Sequence, residues 1–301
     1  MTNRQSIRKK MWIIVLFKFK IFSSNNQRLN EVVSFSGHRK FTEMSSGKMT
    51  NAQFGNLLLM TNASTIEETW AVLVASMADF GFDRLFYGFT SSRTSKGLGD
   101  PGDFLLLSNH EPSYIATFIG DGHYQNAPMV NWALENEGAC SWSIIRDLKA
   151  KGNLTNEEER VIDLNVSQQI SAGYSISFKS VSRRAKGAIG LTAEVGLSQP
   201  EVDAIWAVHG ETIILLNNVA HLKILTLPFN PDNQTLTSRQ REALEWVGDG
   251  KTSQDIATLM GLSQATVEKH LRLARKALNV ETTAQAVMKA LFQNQMFLID
   301  D

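Results

Sequence analysis

Four helix starts crowd into residues 236–301, and a glycine stands where two of those helices must turn. Thr237-x-x-Gln240, Thr252-x-x-Asp255 and Thr282-x-x-Gln285 each fit a capping box, in which a hydroxyl takes an orphan amide three residues on and the distal side chain reaches back. Ser263 is a natural N-cap for a further helix. Between the second and third helices lies Met260-Gly261-Leu262, a turn too tight for a side chain at its centre. A helix, a three-residue turn and a helix give the helix-turn-helix geometry. In the third helix Val267, Leu271, Ala274 and Leu278 recur at i, i+4, i+7 and i+11, so one face is anchored in a small bundle.

The opposite face of that helix offers Gln264, Thr266, Lys269, Arg272, Arg275 and Lys276. Residues 263–280 hold four bases and one acid, Glu268, for a local charge of +3. A solvated surface helix shows similar charges, but a helix directly behind such a turn is favoured as a DNA-recognition helix. Its N-terminal side chains then meet base edges and its cations meet phosphates. The segment from Leu236 to Leu291 resembles the LuxR-type DNA-binding domain almost end to end. Leu236, Leu244, Gly250, Lys251, Thr252, Ile256, Ala257, Val267, His270, Leu271 and Leu278 fall where that family's pattern places them. Gln240 stands where many relatives have glutamate, and it still completes the capping box. The resemblance implies DNA contacts from Ser263, Gln264, Thr266, Lys269, His270, Arg272, Arg275 and Lys276. It also implies a homodimer on double-stranded DNA.

Upstream, residues 226–235 (TLPFNPDNQT) contain two prolines and no period, so they read as a linker. Before them, helix starts become legible at Ser64-x-x-Glu67, Thr155-x-x-Glu158 and Ser198-x-x-Glu201, the last with Pro200 in its first turn. Short helices are expected after Pro112 and Pro128. Arg84 to Thr90, Asp103 to Asn109, Ser175 to Ser182 and Gly187 to Val195 read as strands, the last two paired. The order of helices, strands and helices predicts a sheet covered by helices.

The 301 residues hold 30 Lys+Arg and 30 Asp+Glu, and the zero sum hides a division. Residues 1–48 contain ten basic and two acidic side chains, a net +8, which leaves −8 for the rest. The apolar run Met11 to Phe17 behind Arg8-Lys9-Lys10 is a poor signal peptide, since Lys18 and Lys20 interrupt it and no A-x-A-like site follows. It is far shorter than the ~20 residues that span a bilayer. The segment reads as a basic, disordered tail or a misplaced start. Cys140 is the single cysteine, so no intrachain disulfide or paired-cysteine zinc site is available.

The segment SNHEPSYIATFIGDGHYQNAPMVNWALENEGACSW, residues 108–142, resembles the signature of the autoinducer-binding domain of quorum-sensing LuxR-type receptors. Ser108-Asn109, Pro128, Trp142 and, further on, Gly173 keep that pattern. The resemblance implies a ligand pocket at His110, Tyr114, Phe118, Ala127 and Trp142. Two aromatic positions are altered: Tyr114 replaces a tryptophan whose indole bonds the lactone carbonyl, and Phe118 replaces a tyrosine. Ala127 replaces the aspartate that accepts the ligand's amide N–H. An amide N–H buried without a partner costs about 1–3 kcal/mol.

The expected fold is therefore α+β: an N-terminal α/β/α sandwich around an antiparallel sheet, and a C-terminal four-helix helix-turn-helix domain. Its divisions are 1–48 tail, 49–228 autoinducer-binding-like domain, 229–235 linker and 236–301 DNA-binding domain. The expected function is a cytoplasmic DNA-binding transcription regulator of quorum-sensing type. It needs no cofactor or metal, responds to a small signal (an acylhomoserine lactone or another apolar ligand) and does not insert stably into membranes. A ligand-independent, orphan regulator is the alternative. An acyl-lactone-processing enzyme is more remote, since no G-x-S-x-G, Walker or H-E-x-x-H motif is present and the six histidines lack metal-ligand spacing.

Overall fold

The computed structural model describes residues 49–94, 97–229 and 235–298. The basic segment 1–48 and most of the expected linker lie outside the described residues. The described residues form two compact units, one reaching Lys223 and the other running from Ile224, with residues 64–66 grouped with the second.

The first unit is built on a five-stranded antiparallel sheet with strand order β2-β1-β5-β4-β3. The strands are β1 (Phe82–Thr90), β2 (Leu105–Ser108), β3 (Gly138–Ser141), β4 (Gly173–Ser177) and β5 (Lys186–Ala193). Period-2 alternation assigns each strand two faces. On β1 and β5 one face carries Leu85, Tyr87, Ile189 and Leu191, each at most 1% exposed. The other carries Phe86, Gly88 and Thr90 of β1 with Lys186, Ala188, Gly190 and Thr192 of β5.

Helices cover both faces. α1 (Asn51–Asn62), α2 (Ile66–Ala78) and the 26-residue α7 (Gln199–Ile224) share the Tyr87 side. α1 meets α2 through Asn56 Nδ2 donating to Ser76 Oγ at 2.9 Å, and α7 meets α2 through Asn217 and Met77. Ring contacts seat α7 on the sheet. Trp206 stacks on Tyr174 with centroids 3.8 Å apart, and His221 stacks on Phe178 at 4.0 Å. His221 Nδ1 also lies 2.9 Å from the Tyr87 hydroxyl. Gln199, the first residue of α7, clamps β4: Gly173 N–H donates to its Oε1 at 2.9 Å, and its Nε2 donates to Gly173 O at 3.1 Å. The opposite side is covered by α3 (Pro112–Gly120), α4 (Pro128–Glu135), α5 (Ser143–Ala150) and α6 (Asn156–Ser167). Layered helix, sheet and helix is the sandwich that the sequence predicts.

Local signals account for most boundaries. Pro112 and Pro128 occupy the first turns of α3 and α4. Thr155 and Glu158 form a full capping box before α6. The helix predicted from Ser64 begins at Ile66. The strand predicted over Ser175 to Ser182 instead runs Gly173–Ser177. Beyond it Phe178 N–H still donates to Gly187 O at 2.9 Å, and Val181 stands fully exposed. α1, β3 and α5 are additions to the sequence-based expectation.

In the second unit α8 (Ser238–Gly248), α9 (Ser253–Met260), α10 (Gln264–Ala277) and α11 (Thr283–Phe292) form the four-helix bundle. Thr237, Thr252 and Thr282 make complete capping boxes, and the Ser263 hydroxyl accepts from Thr266 N–H. Gly261 ends α9 at φ 65°, a left-handed conformation that costs glycine nothing. Leu244, Ile256, Val267, Leu271, Ala274 and Ala290 fill the core, each 0–3% exposed. Among the described residues no helix is long and apolar enough to cross a membrane.

Candidate functional site

A cavity of about 340 Å³ lies between the sheet and helices α3–α6, within the range of small-molecule sites. Its floor is the second face of β1 and β5. The pairs Phe86↔Gly190 and Gly88↔Ala188 set small residues where side chains would otherwise fill the space. His110, Tyr114, Phe118, Ala127 and Trp142 all line this one cavity, although 32 residues separate the first from the last. Proline-started helices bring them together: α3 presents Tyr114 and Phe118, and Ala127 is the N-cap of α4.

The aromatic wall is ordered by ring contacts. Tyr114 stacks on Phe118 with centroids 5.4 Å apart, His110 lies 5.3 Å from Tyr114, and Phe86 meets Phe118 edge-on at 5.6 Å. The polar atoms in this wall already have partners. Tyr114 donates its hydroxyl proton to Asn165 Oδ1 at 2.9 Å. Trp142 Nε1–H donates to Ser175 Oγ at 2.9 Å. His110 Nε2 sits 3.4 Å from Thr192 Oγ1. Burial, and then the positive charge of Arg84, lower the His110 pKa to about 4, so the ring is neutral at physiological pH. Burial likewise pushes the Tyr114 hydroxyl up. Ala127 is 5% exposed, its methyl side chain offers no acceptor, and its backbone C=O already accepts from Asn131 N–H at 3.0 Å.

Gly173 explains how the indole fits. A Cβ there would lie 2.2 Å from Leu191 O and 2.9 Å from the Trp142 ring. Only a glycine lets the ring lie against the strand.

The sequence did not announce Lys186, Gly88, Ala188, Gly190, Asn165 or Ser175 as site residues. The one available signal was the alternation Lys186, Ala188, Gly190, Thr192 along a single strand face.

In the second unit Ser263, Gln264, Lys269, Arg272 and Lys276 of α10 and its N-cap are exposed, while Thr266, His270 and Arg275 are half-buried. Lys269, Arg272 and Lys276 follow i, i+3 and i+7, a cationic stripe opposite the buried Val267 and Leu271. Two candidates also have internal work. The Thr266 hydroxyl bonds Ser263 Oγ at 2.8 Å, and Arg275 Nη1 donates to Thr283 Oγ1 at 2.8 Å, tying α10 to α11. The Ser253 hydroxyl bonds Glu268, which fixes α10 against α9.

Residues 65–224 match the autoinducer binding domain, and residues 234–290 match the bacterial regulatory proteins of the luxR family. The transcriptional activator protein SolR of Ralstonia solanacearum is 32% identical over 226 residues, covering 73% of this chain and 88% of SolR. The transcriptional activator protein AnoR of Acinetobacter nosocomialis is 25% identical over 228 residues, covering 75% and 90%. Among solved structures, Escherichia coli SdiA aligns with a TM-score of 0.45 at 15% identity, over 82% of this chain and 98% of that one. The family is one of transcription regulators rather than enzymes. An autoinducer-binding fold enclosing a cavity, followed by a capped helix-turn-helix with a cationic face, marks this chain as a DNA-binding regulator that belongs to the luxR family.

Proposed function

We propose that the chain is a one-component, cytoplasmic regulator of quorum-sensing type. Its sensor spans residues 49–228, its linker 229–235 and its DNA-binding domain 236–301. A small apolar or acyl signal enters the first unit, touching His110, Tyr114, Phe118, Ala127 and Trp142. Occupancy changes how a homodimer holds an imperfect palindrome through Ser263, Gln264, Thr266, Lys269, His270, Arg272, Arg275 and Lys276. Helix-turn-helix dimers set two recognition helices about 34 Å apart, hence the palindrome. The observation behind this reading is the cavity itself: space on the scale of a small ligand, bounded mainly by apolar and aromatic side chains.

The internal hydrogen bonds of Tyr114 and Trp142 favour a second reading, an orphan regulator whose pocket is satisfied when empty. Mass spectrometry of small molecules copurified with the full chain separates the two. It is paired with DNA-binding anisotropy before and after the protein is stripped of them. A stoichiometric compound whose removal changes DNA affinity supports the sensor. Unchanged affinity and no compound support the orphan.

A further inference from the structure

We propose that the cavity takes an amphiphile with a monoanionic head, a long-chain carboxylate, and that Lys186 reads the head. This rests on the ligand-binding reading above and names the class of ligand.

The cavity's charges are one-sided. Arg146, Lys149 and Lys186 line it, and no Asp or Glu occurs among the described lining residues. A ligand amide N–H needs an acceptor, and Ala127 supplies none from its side chain. A carboxylate needs only donors. Lys186 is the cation placed to provide them. It opens β5 on the same face as Ala188, Gly190 and Thr192, so its stem continues the cavity floor. From Lys186 to Thr192 the floor runs six residues, about 20 Å at the rise of an extended strand. That gives an elongated apolar track with a cation at one end and the His110–Thr192 pair at the other.

The ammonium has donors to spare. It has three N–H groups, and Lys186 Nζ spends one on Asn136 O at 2.9 Å. Among the described residues it forms no ion pair, and the neighbouring Glu135 lies 3.4 Å from Arg93 Nη2. Lys186 is half-buried, and burial lowers its pKa; Arg93 adds to that lowering, while Glu137 and Glu135 oppose it. A partly desolvated cation gains more from an entering anion than an exposed one does. Arg146 and Lys149 are exposed at the margin and attract the same sign of charge without fixing its position.

Calorimetry on the full chain near neutral pH, with probes below their micelle concentrations, tests this. The probes are dodecanoate, methyl dodecanoate and dodecanol, of matched tail and differing head. Dodecanoate is expected to bind about tenfold or more tighter than the ester, the scale of one charge-assisted hydrogen bond. Lys186→Met should bring the acid down to the ester's affinity and leave the ester unchanged. Lys186→Arg, which keeps the charge, should retain most of the preference and serves if the methionine variant folds poorly. Arg146→Gln combined with Lys149→Gln should change the acid's affinity less than about threefold. Equal binding of acid and ester by the unmodified chain overturns the assignment of the ligand's charge and leaves the sensor reading intact. An undiminished acid preference in folded Lys186→Met overturns the role of Lys186. If none of the three probes binds, this inference fails together with the apolar-ligand reading beneath it.

Discussion

Replacing Ala127 with aspartate restores the carboxylate that the resemblance places there, and the structure fixes what that carboxylate would meet. Ala127 is the N-cap of α4 with no side-chain cap bond, and Pro128 occupies N1. An aspartate at an N-cap accepts from the N2 or N3 amide, here Met129 or Val130, a contact worth about 1 kcal/mol relative to alanine. That gain, with the favourable sign of the helix N-terminus, offsets part of the cost of burying a charge at a position 5% exposed. The folded protein should therefore survive the change with a stability shift within about 2 kcal/mol. A ligand amide donating to the same carboxylate adds about 1.5–3 kcal/mol, or roughly 10- to 150-fold in affinity. Competition from the cap amides points to the lower end. Calorimetry with an N-acylhomoserine lactone on both proteins should show weak or no binding by the unmodified chain and about tenfold tighter binding by Ala127→Asp. The new negative charge should also weaken any anionic amphiphile. Tight lactone binding by the unmodified chain, or no gain in a folded Ala127→Asp protein, would refute the reasoning. Backbone groups or His110 would then be the acceptor.

Other outcomes follow from the same geometry. Gly173→Ala drives a methyl into Leu191 O and the Trp142 ring, so denaturant titration should show a loss of about 3 kcal/mol or more. Gly190→Ala meets Trp142 at an ordinary 3.7 Å and should be near neutral, whereas Gly190→Leu projects into the cavity and should lower ligand affinity about tenfold by calorimetry. Lys269→Ala and Arg272→Ala should each weaken DNA binding in anisotropy titrations, with a salt slope shallower by about 1 where a phosphate contact is lost. Arg275→Ala should also lower the thermal midpoint, since its guanidinium holds Thr283. His110 and His221 have folded pKa values of about 4 against 6.5. The unfolded chain thus binds more protons between those values, so stability should fall as pH drops from about 6.5 to about 4 and be untouched by these groups above 6.5. Urea midpoints across that range measure it, and His110→Phe should flatten the fall.

What could be read from the sequence divides by the range of the interactions involved. The caps at Thr155, Thr237, Thr252, Ser263 and Thr282 are contacts three residues long, and each is realised. The same signal stands at Thr50-x-x-Gln53 before α1, but no buried stripe accompanied it. Phe54 and Leu58 of that helix are more than half exposed, so periodicity was silent. Strand β3 is four residues long, too short to alternate legibly, and exists because Gly138 to Ser141 pair with Ser177 to Tyr174. The five signature positions came from the family resemblance, and the structure sets all five around one cavity. The cavity floor was not legible, because Gly88 faces Ala188 only through a register set between residues 100 apart in the chain. The satisfaction of Tyr114 by Asn165, 51 residues away, is equally invisible in one dimension.

The thickness of the partition between the cavity and α7 has a mechanical consequence. On one side of Gly173 the Trp142 ring lies 2.9 Å from where a Cβ would be, and Gly173 O also accepts Trp142 N–H at 3.1 Å. On the other side the same residue's N–H and C=O are both held by Gln199, whose Nε2 also lies within 3.0 Å of Ser141 Oγ and Asp203 Oδ1. A single backbone unit is therefore all that separates the indole from the seat of a helix about 39 Å long. Soft side-chain packing would absorb a sub-ångström displacement of that ring. At Gly173, held by Gln199 on the far side, such a displacement would bear on the hydrogen bonds at the root of α7.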